Sequence, residues 1–167
     1  MIIRAANEND VAGIAKIYVH NHRTTYRGLL PEEYFQTLTM EYAESKWRAY
    51  IADENNIVRV AEDESGFLGF AASTLDDEFP EVWYLDSLHV CEMARGRGVG
   101  TALIKDTGKY AYGKGYEKMS ICMVKGNDNA GNLYRRLGAE HYKDFEGKLS
   151  HSEKLLWNDL KKFSENL

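Results

Sequence analysis

Val11, Ile14, Ala15, Ile17, Tyr18 and Asn21 recur at spacings of three and four. That is the stripe one face of an α-helix turns toward a core, and it predicts a helix running to about Arg23. Asn7 stands where it can cap that helix, and Asp10 falls in the first turn, where a negative charge meets the positive end of the helix dipole. Ile2 to Arg4 form a short strand ahead of it. Pro31 opens a second, short helix through Leu38, and Thr39 caps a third that carries Tyr42, Ala43, Trp47 and Tyr50 on one side.

From Ile57 the apolar positions change to a period of two, the spacing of a strand. Residues 57–62 and 67–74 flank Glu64, Ser65 and Gly66 and read as a hairpin. An acidic loop over 76–80 leads into a strand over 82–90, which runs directly into a glycine-rich segment. Ala102, Leu103, Ile104, Thr107 and Ala111 place a helix over 101–112, closing near Gly113 and Gly115. A strand over 119–124, a helix over 130–137 stopped by Gly138, and strands over 140–146 and 153–157 follow. The polar tail, 158–167, has room for one helical turn. No internal repeat, low-complexity tract or linker interrupts the chain, so a single domain over 1–167 is expected.

Composition narrows the class of protein. With 44% hydrophobic and 28% charged residues and two prolines in 167, the chain has the make-up of a soluble globular domain large enough to bury its own core. No run approaches the length a membrane-spanning helix needs, and Met1-Ile2-Ile3-Arg4 does not open a signal peptide; a cytoplasmic location without membrane attachment is the expectation. Two cysteines, Cys91 and Cys122, make neither a disulfide framework nor a zinc site. His20 and His22, two apart on a helix, project to different faces, so no metal is expected.

The net charge of -5 conceals a segregation. Residues 1–90 hold 7 Lys/Arg against 16 Asp/Glu, whereas residues 95–125 hold 7 against 2. Acid dominance over the whole chain argues against nucleic acid as a partner, while the basic block suits a small phosphorylated ligand.

The chemistry lies where the 82–90 strand meets the next helix. Arg95, Gly96, Arg97, Gly98, Val99, Gly100 and Thr101 bridge the two. Glycines let a ligand approach the backbone closely, and the unpaired N–H groups at a helix start present an anion site. A P-loop is excluded because no Lys-Ser/Thr follows the glycines. A dinucleotide fingerprint would put its third glycine or alanine at Thr101 and would open the fold instead of following several strands.

What remains is Arg95-x-x-Gly98-x-Gly100 after Leu88-His89-Val90, and this resembles the Gln/Arg-x-x-Gly-x-Gly/Ala signature of the GNAT superfamily of N-acetyltransferases. A second block, Asn127-x-x-Ala130-x-x-x-Tyr134-x-x-x-Gly138, is similar to that superfamily's following motif. Tyr26-Arg27-Gly28-Leu29-Leu30-Pro31 looks like a segment of one bacterial branch. The resemblance implies an α/β (α+β) fold with a mixed, mostly antiparallel sheet of six to seven strands flanked by four to five helices. It also implies acetyl-CoA as cosubstrate, with no metal, and transfer to a small-molecule or peptide amine in a ternary complex. A homodimer through the terminal strands is compatible with it.

Carried onto this chain, the resemblance has Leu88, His89 and Val90 pairing with the pantetheine arm and the amides of residues 95–101 taking the pyrophosphate. Asn127 reaches the arm, and Tyr134 donates a proton to the departing thiolate. The base is less well marked. The family's glutamate positions hold Cys122 on the fifth strand and Tyr84 on the fourth, so Asp86 is the nearest carboxylate, with Glu81 and His89 behind it. Tyr26, Arg27 and Tyr84, together with the acidic turn Asp76-Asp77-Glu78, are expected to frame the acceptor, and Trp83 is a further aromatic candidate. The acidic half would then draw a cationic amine while the basic block receives the coenzyme. Loss of both glutamates leaves a second reading open, a non-catalytic acyl-CoA sensor or scaffold.

Overall fold

A computed structural model describes residues 1–165. Seven strands form one sheet in the order β1-β2-β3-β4-β5-β7-β6. They are β1 (Ile2–Ala5), β2 (Ile57–Asp63), β3 (Gly66–Leu75), β4 (Val82–Val90), β5 (Lys118–Val124), β6 (Glu140–Glu146) and β7 (His151–Trp157). Every neighbouring pair is antiparallel except β4 and β5, which run parallel.

Six α-helices accompany them among the described residues: α1 (Val11–Thr25), α2 (Glu32–Thr37), α3 (Met40–Ala52), α4 (Val99–Gly113), α5 (Asp128–Arg136) and α6 (Lys161–Glu165). The sixth, α6, is the turn expected in the tail; the last two residues of that tail lie outside the described residues. Asn7 caps as expected, its Oδ1 accepting from the Asn9 amide at 2.9 Å, but a 3-10 turn over Glu8–Asp10 precedes α1. Thr39 Oγ1 accepts from the Tyr42 amide at 3.1 Å and starts α3. On that helix Ala43 and Trp47 are buried, whereas Tyr42 is exposed because it falls on the solvent edge of the predicted stripe.

The helices cover the two faces of the sheet separately. One core gathers Leu68, Ala71, Trp83, Leu85, Leu103, Ile104, Met119, Leu155 and Phe163 under α4 and α6. The other gathers Ile14, Tyr18, Phe35, Trp47, Val60, Phe70 and Ala72 under α1, α2 and α3. Phe70, Ala71 and Ala72 of β3 serve alternate cores, as the pleat requires.

Strand β4 departs from that alternation. Ala72 pairs with Ser87 but Ser73 pairs with Leu85, so Asp86 is an extra residue in a β-bulge. Trp83 and Leu85 face the α4 core before the bulge, and Leu88 and Val90 face it afterwards, a change from odd to even numbers. A bulge inserts one unpaired residue and bends its strand. Pairing between β4 and β5 ends at Leu85 and Ile121. Beyond that point the two parallel strands have no ladder, and the fork between them begins at Asp86.

Candidate active site

The fork opens into a cleft of about 230 Å³ lined by Leu88, Val90, Arg95, Gly100, Asn127, Leu133 and Tyr134, with Asn21 and Tyr26 contributed by α1 and its end. Three of the segments singled out from the sequence therefore meet in one place.

The glycine segment has the form of an open cradle. Gly96 and Gly98 take positive φ angles of 75° and 80°, a conformation that a side chain disfavours. Residues 96–98 are exposed. The first bond of α4 runs from the Ala102 amide to the Gly98 carbonyl, which leaves the amides of Gly98, Val99, Gly100 and Thr101 without helical acceptors. Gly100 is needed for a different reason: a Cβ there would stand 3.2 Å from Leu133 Cδ2 and 3.7 Å from Val90 Cγ2, so α4 approaches α5 and β4 closely only without one.

The two arginines have separate fates. Arg97 donates to Asp63 Oδ2 at 2.7 Å on the β2–β3 hairpin, so it adds its amide but not its guanidinium to the cradle. Arg95 turns toward α1 and donates to Asn21 Oδ1 at 3.1 Å. Asn21 Nδ2 in turn donates to the Val90 carbonyl at 3.1 Å. Nothing in the spacing of Asn21 distinguishes this role from that of another stripe residue.

Asn127 occupies the cap position of α5, yet its side chain makes no cap bond and lines the cleft instead. Tyr134, on the next turns of α5, is 6% exposed, and its ring meets Trp157 edge-on at 5.9 Å. Its hydroxyl borders the cleft and has no hydrogen-bond partner among the described residues. Burial raises the Tyr134 pKa, with the nearby Tyr26 adding to the effect, so this phenol keeps its proton.

His89 belongs to the other side of the sheet. The bulge turns its ring into the aromatic layer, 5.5 Å from Tyr18, 5.4 Å from Phe70 and 5.2 Å from His22, so only its backbone is placed to serve the cleft. Burial, with His22, Lys46 and Arg95 adding to it, depresses the His89 pKa well below 6.5 and keeps the ring neutral. His22 is held down to about 3, again by burial first and Lys46 second, and shares a hydrogen bond with Tyr34 Oη at 2.7 Å.

Asp86 is half-buried at the mouth of the fork, facing Tyr50 and Tyr84. Its pKa is raised by burial and pulled back partly by Lys46 and the two phenols. The Tyr50 hydroxyl is buried and faces that carboxylate. Tyr84 faces Cys122 across β5, and burial raises both of their pKa values. Trp83 faces the opposite core, 5.1 Å from Tyr116, so the expectation that it contacts the acceptor does not fit its position. Glu81 is exposed at the far end of β4.

The acidic turn is not a free patch. Asp76, with a side chain 1% exposed, accepts from Lys154 Nζ, from Ser120 Oγ and from the amides of Glu78 and Phe79. Glu78 is shared between Lys143 and Lys154. Arg27 is exposed in a tight loop closed by a bridge between Arg27 and Leu30. Tyr26 faces Asn127 at the cleft, and its pKa is raised by burial.

Residues 23–139 match the acetyltransferase (GNAT) family model, which spans both the cradle and the Asn127–Tyr134 block. The chain belongs to the GNAT family. It is an acetyl-CoA-dependent N-acetyltransferase. Among curated relatives, the uncharacterized N-acetyltransferase YuaI of Bacillus subtilis is 27% identical over 75% of this chain and 72% of its own. A thialysine N-epsilon-acetyltransferase of Mus musculus is 37% identical over a shorter stretch, 40% of this chain and 39% of its own. In fold, the GNAT chain is similar to the PaiA N-acetyltransferase of Thermoplasma acidophilum, solved in complex with coenzyme A. The TM-score is 0.78 at 18% identity, over 92% of this chain and 96% of that one. No helix among the described residues is long and apolar enough to cross a membrane.

Proposed function

We propose that the protein moves an acetyl group from acetyl-CoA directly to a primary amine while both substrates are bound. One observation carries the reading: Gly100, whose amide at the start of α4 has no helical acceptor, the non-capping side chain of Asn127 and the buried Tyr134 all line a single cleft at the β4–β5 fork. Such a cleft suits a long ligand with a diphosphate at one end. The pantetheine arm would run beside the unpaired edge of β4 at Leu88 and Val90, as an added strand does. The mouse relative is named for transfer to an amine.

In this reading the Asp86 carboxylate takes a proton from the incoming ammonium, directly or through a water, which exposes the nitrogen lone pair. Burial suits Asp86 to the task, because a raised pKa makes it a stronger base than a solvated aspartate. Acetyl-CoA supplies the thioester, whose C–S bond breaks as the new C–N bond forms. Tyr134 gives its proton to the leaving sulfur and recovers one as the attacking nitrogen sheds its second. The low polarity around Tyr134 keeps that proton in place until the sulfur gains charge.

The test has two parts. In a thermal-shift panel, acetyl-CoA and CoA should stabilise the protein and NAD and ATP should not; a ligand at a hundred times its Kd stabilises by about 2.7 kcal/mol. Thioester consumption is then followed across a set of amines with the parent protein and Tyr134→Phe. A fall in kcat of about hundredfold with unaltered acetyl-CoA affinity supports the acid role. Binding without turnover of any amine favours the sensor reading instead.

A further inference from the structure

The helix that carries Tyr134 has a narrow buried face, made by Gly131 and Tyr134 itself. Directed contacts therefore matter to its seating. Gly131 rests on Met123 of β5, where a Cβ would stand 3.1 Å from Met123 Cε. Just past the end of α5, Trp157 Nε1 of β7 donates to the Leu137 carbonyl at 3.1 Å. Between these points Arg135, the residue after Tyr134, reaches β7 and donates from Nη2 to both oxygens of Glu153, at 2.7 Å and 2.5 Å. Gly131 makes room for it: a Cβ there would stand 2.7 Å from Arg135 Nη1, so the guanidinium folds back along its own helix through space a side chain would fill.

Glu153 pairs with Met123 in the β5–β7 ladder, which sets the acid beside the residue that supports α5. Its side chain is 9% exposed. A charge so covered is costly unless it is paired and hydrogen-bonded, and Glu153 has both Arg135 and, from β6, His141 Nδ1 at 2.7 Å. Burial pushes the Glu153 carboxyl up, but these two neighbours hold it below 4.5, so it stays an anion. A second bulge brings His141 within reach. His141 pairs with Leu155 but Lys143 with Lys154, which leaves Tyr142 as the extra residue and turns His141 to the face of Asp144. His141, Asp144 and Glu153 then gather within 4.8 Å, a spacing that a metal ion could use. Cations of the protein hold both carboxylates instead, Arg135 on Glu153 and Lys125 on Asp144 at 2.7 Å, so the cluster is a latch between sheet and helix.

We propose that Glu153 is a positioning residue for acetyl transfer: through Arg135 it fixes the turn of α5 that aims the Tyr134 hydroxyl at the sulfur of the coenzyme. The inference rests on the acid role given to Tyr134 above. Glu153 does not line the cleft, so its effect falls on kcat and not on coenzyme binding.

A double-mutant cycle tests this. Glu153→Gln should lower kcat by about tenfold to hundredfold, the cost of a reacting group displaced by about 1 Å, with the calorimetric Kd for CoA unchanged. In a Tyr134→Phe background the same substitution should cost nothing further, because no proton is left to aim. A merely structural loss would multiply with that of Tyr134→Phe, and this result overturns the proposal. Arg135→Gln, at an exposed position, gives the same readouts if Glu153→Gln does not fold. A second measurement needs no turnover. In protein carrying ring-labelled tyrosine, the NMR resonance that disappears in Tyr134→Phe should shift in Glu153→Gln, and an unmoved resonance overturns the latch. Parental kcat in Glu153→Gln beside a reduced kcat in Tyr134→Phe sinks the latch and leaves the acid role standing. Parental kcat in Tyr134→Phe beside a shifted resonance sinks the acid role and leaves the hold of Glu153 on Tyr134 standing.

Discussion

Asn21 accepts the guanidinium of Arg95 at 3.1 Å across 74 residues of sequence, and so ties the end of α1 to the entrance of the glycine cradle. The same side chain donates to the carbonyl of Val90. Asn21→Ala removes both bonds at once. A several-fold rise in the acetyl-CoA KM with little change in kcat is expected, together with a loss of about 1–3 kcal/mol in stability. Steady-state kinetics and a thermal melt measure the two, and an unmoved KM would mean that Arg95 has no part in holding the coenzyme.

Gly98 stands in the left-handed region at φ 80° with nothing within 4 Å of where a Cβ would be. Gly98→Ala therefore clashes with no protein atom and meets only backbone strain, of about 1–2 kcal/mol. Coenzyme affinity should suffer more than the fold does. A calorimetric Kd for CoA at least tenfold weaker, beside a melting point lowered by only a few degrees, is the expected pair of results.

Asp86→Asn should separate activity from stability. Burial raises the folded-state pKa of Asp86 above its ordinary 3.8. The stabilising effect of the protonated acid is complete below that ordinary value and is lost as pH rises through the folded pKa, so at neutral pH the charged group strains the fold. The amide variant should consequently melt higher than the parent at pH 7 to 8, with the gap closing toward pH 3. Its kcat should fall by about hundredfold or more. Equal melting points at pH 8 would show that Asp86 is solvated.

Lys154→Met leaves Asp76 buried without its cation. Burial alone would raise the Asp76 pKa, but Lys154, Ser120 and the Glu78 amide together hold it below 3.8. That contribution is present above the ordinary carboxylate pKa and disappears as pH falls through the depressed one. The variant should lose about 3–5 kcal/mol near pH 7, as broken buried pairs do, and less below about pH 4, where the acid takes up a proton. Denaturant melts at the two pH values decide it.

Most of the architecture was legible because it rests on local signals. The period of α1, the caps at Asn7 and Thr39, and the Gly66 turn all act within a few residues, and each expected strand and helix appears within a few residues of its place. The cradle was legible for the same reason, since its glycines are contiguous. The acceptor side was not. Strict alternation along β4 cannot register the bulge: it would carry the face of Trp83 and Leu85 on to His89, whereas Leu88 and Val90 take that face and His89 turns its ring to the other. The side-chain partners of Asn21 and Asp76 lie 40 or more residues away, at distances that no pattern along the chain encodes.

Asp86 is one residue more than the β3–β4 ladder requires, which separates the acid from the architecture that presents it. Deleting residue 86 would let Leu85 and Ser87 follow each other in regular register, with every other β4 side chain still on its present face. A lineage could therefore gain or lose a carboxyl at the fork through a one-codon insertion or deletion, and change its chemistry without refolding the sheet. Libraries that vary only the identity of residues would never sample that route.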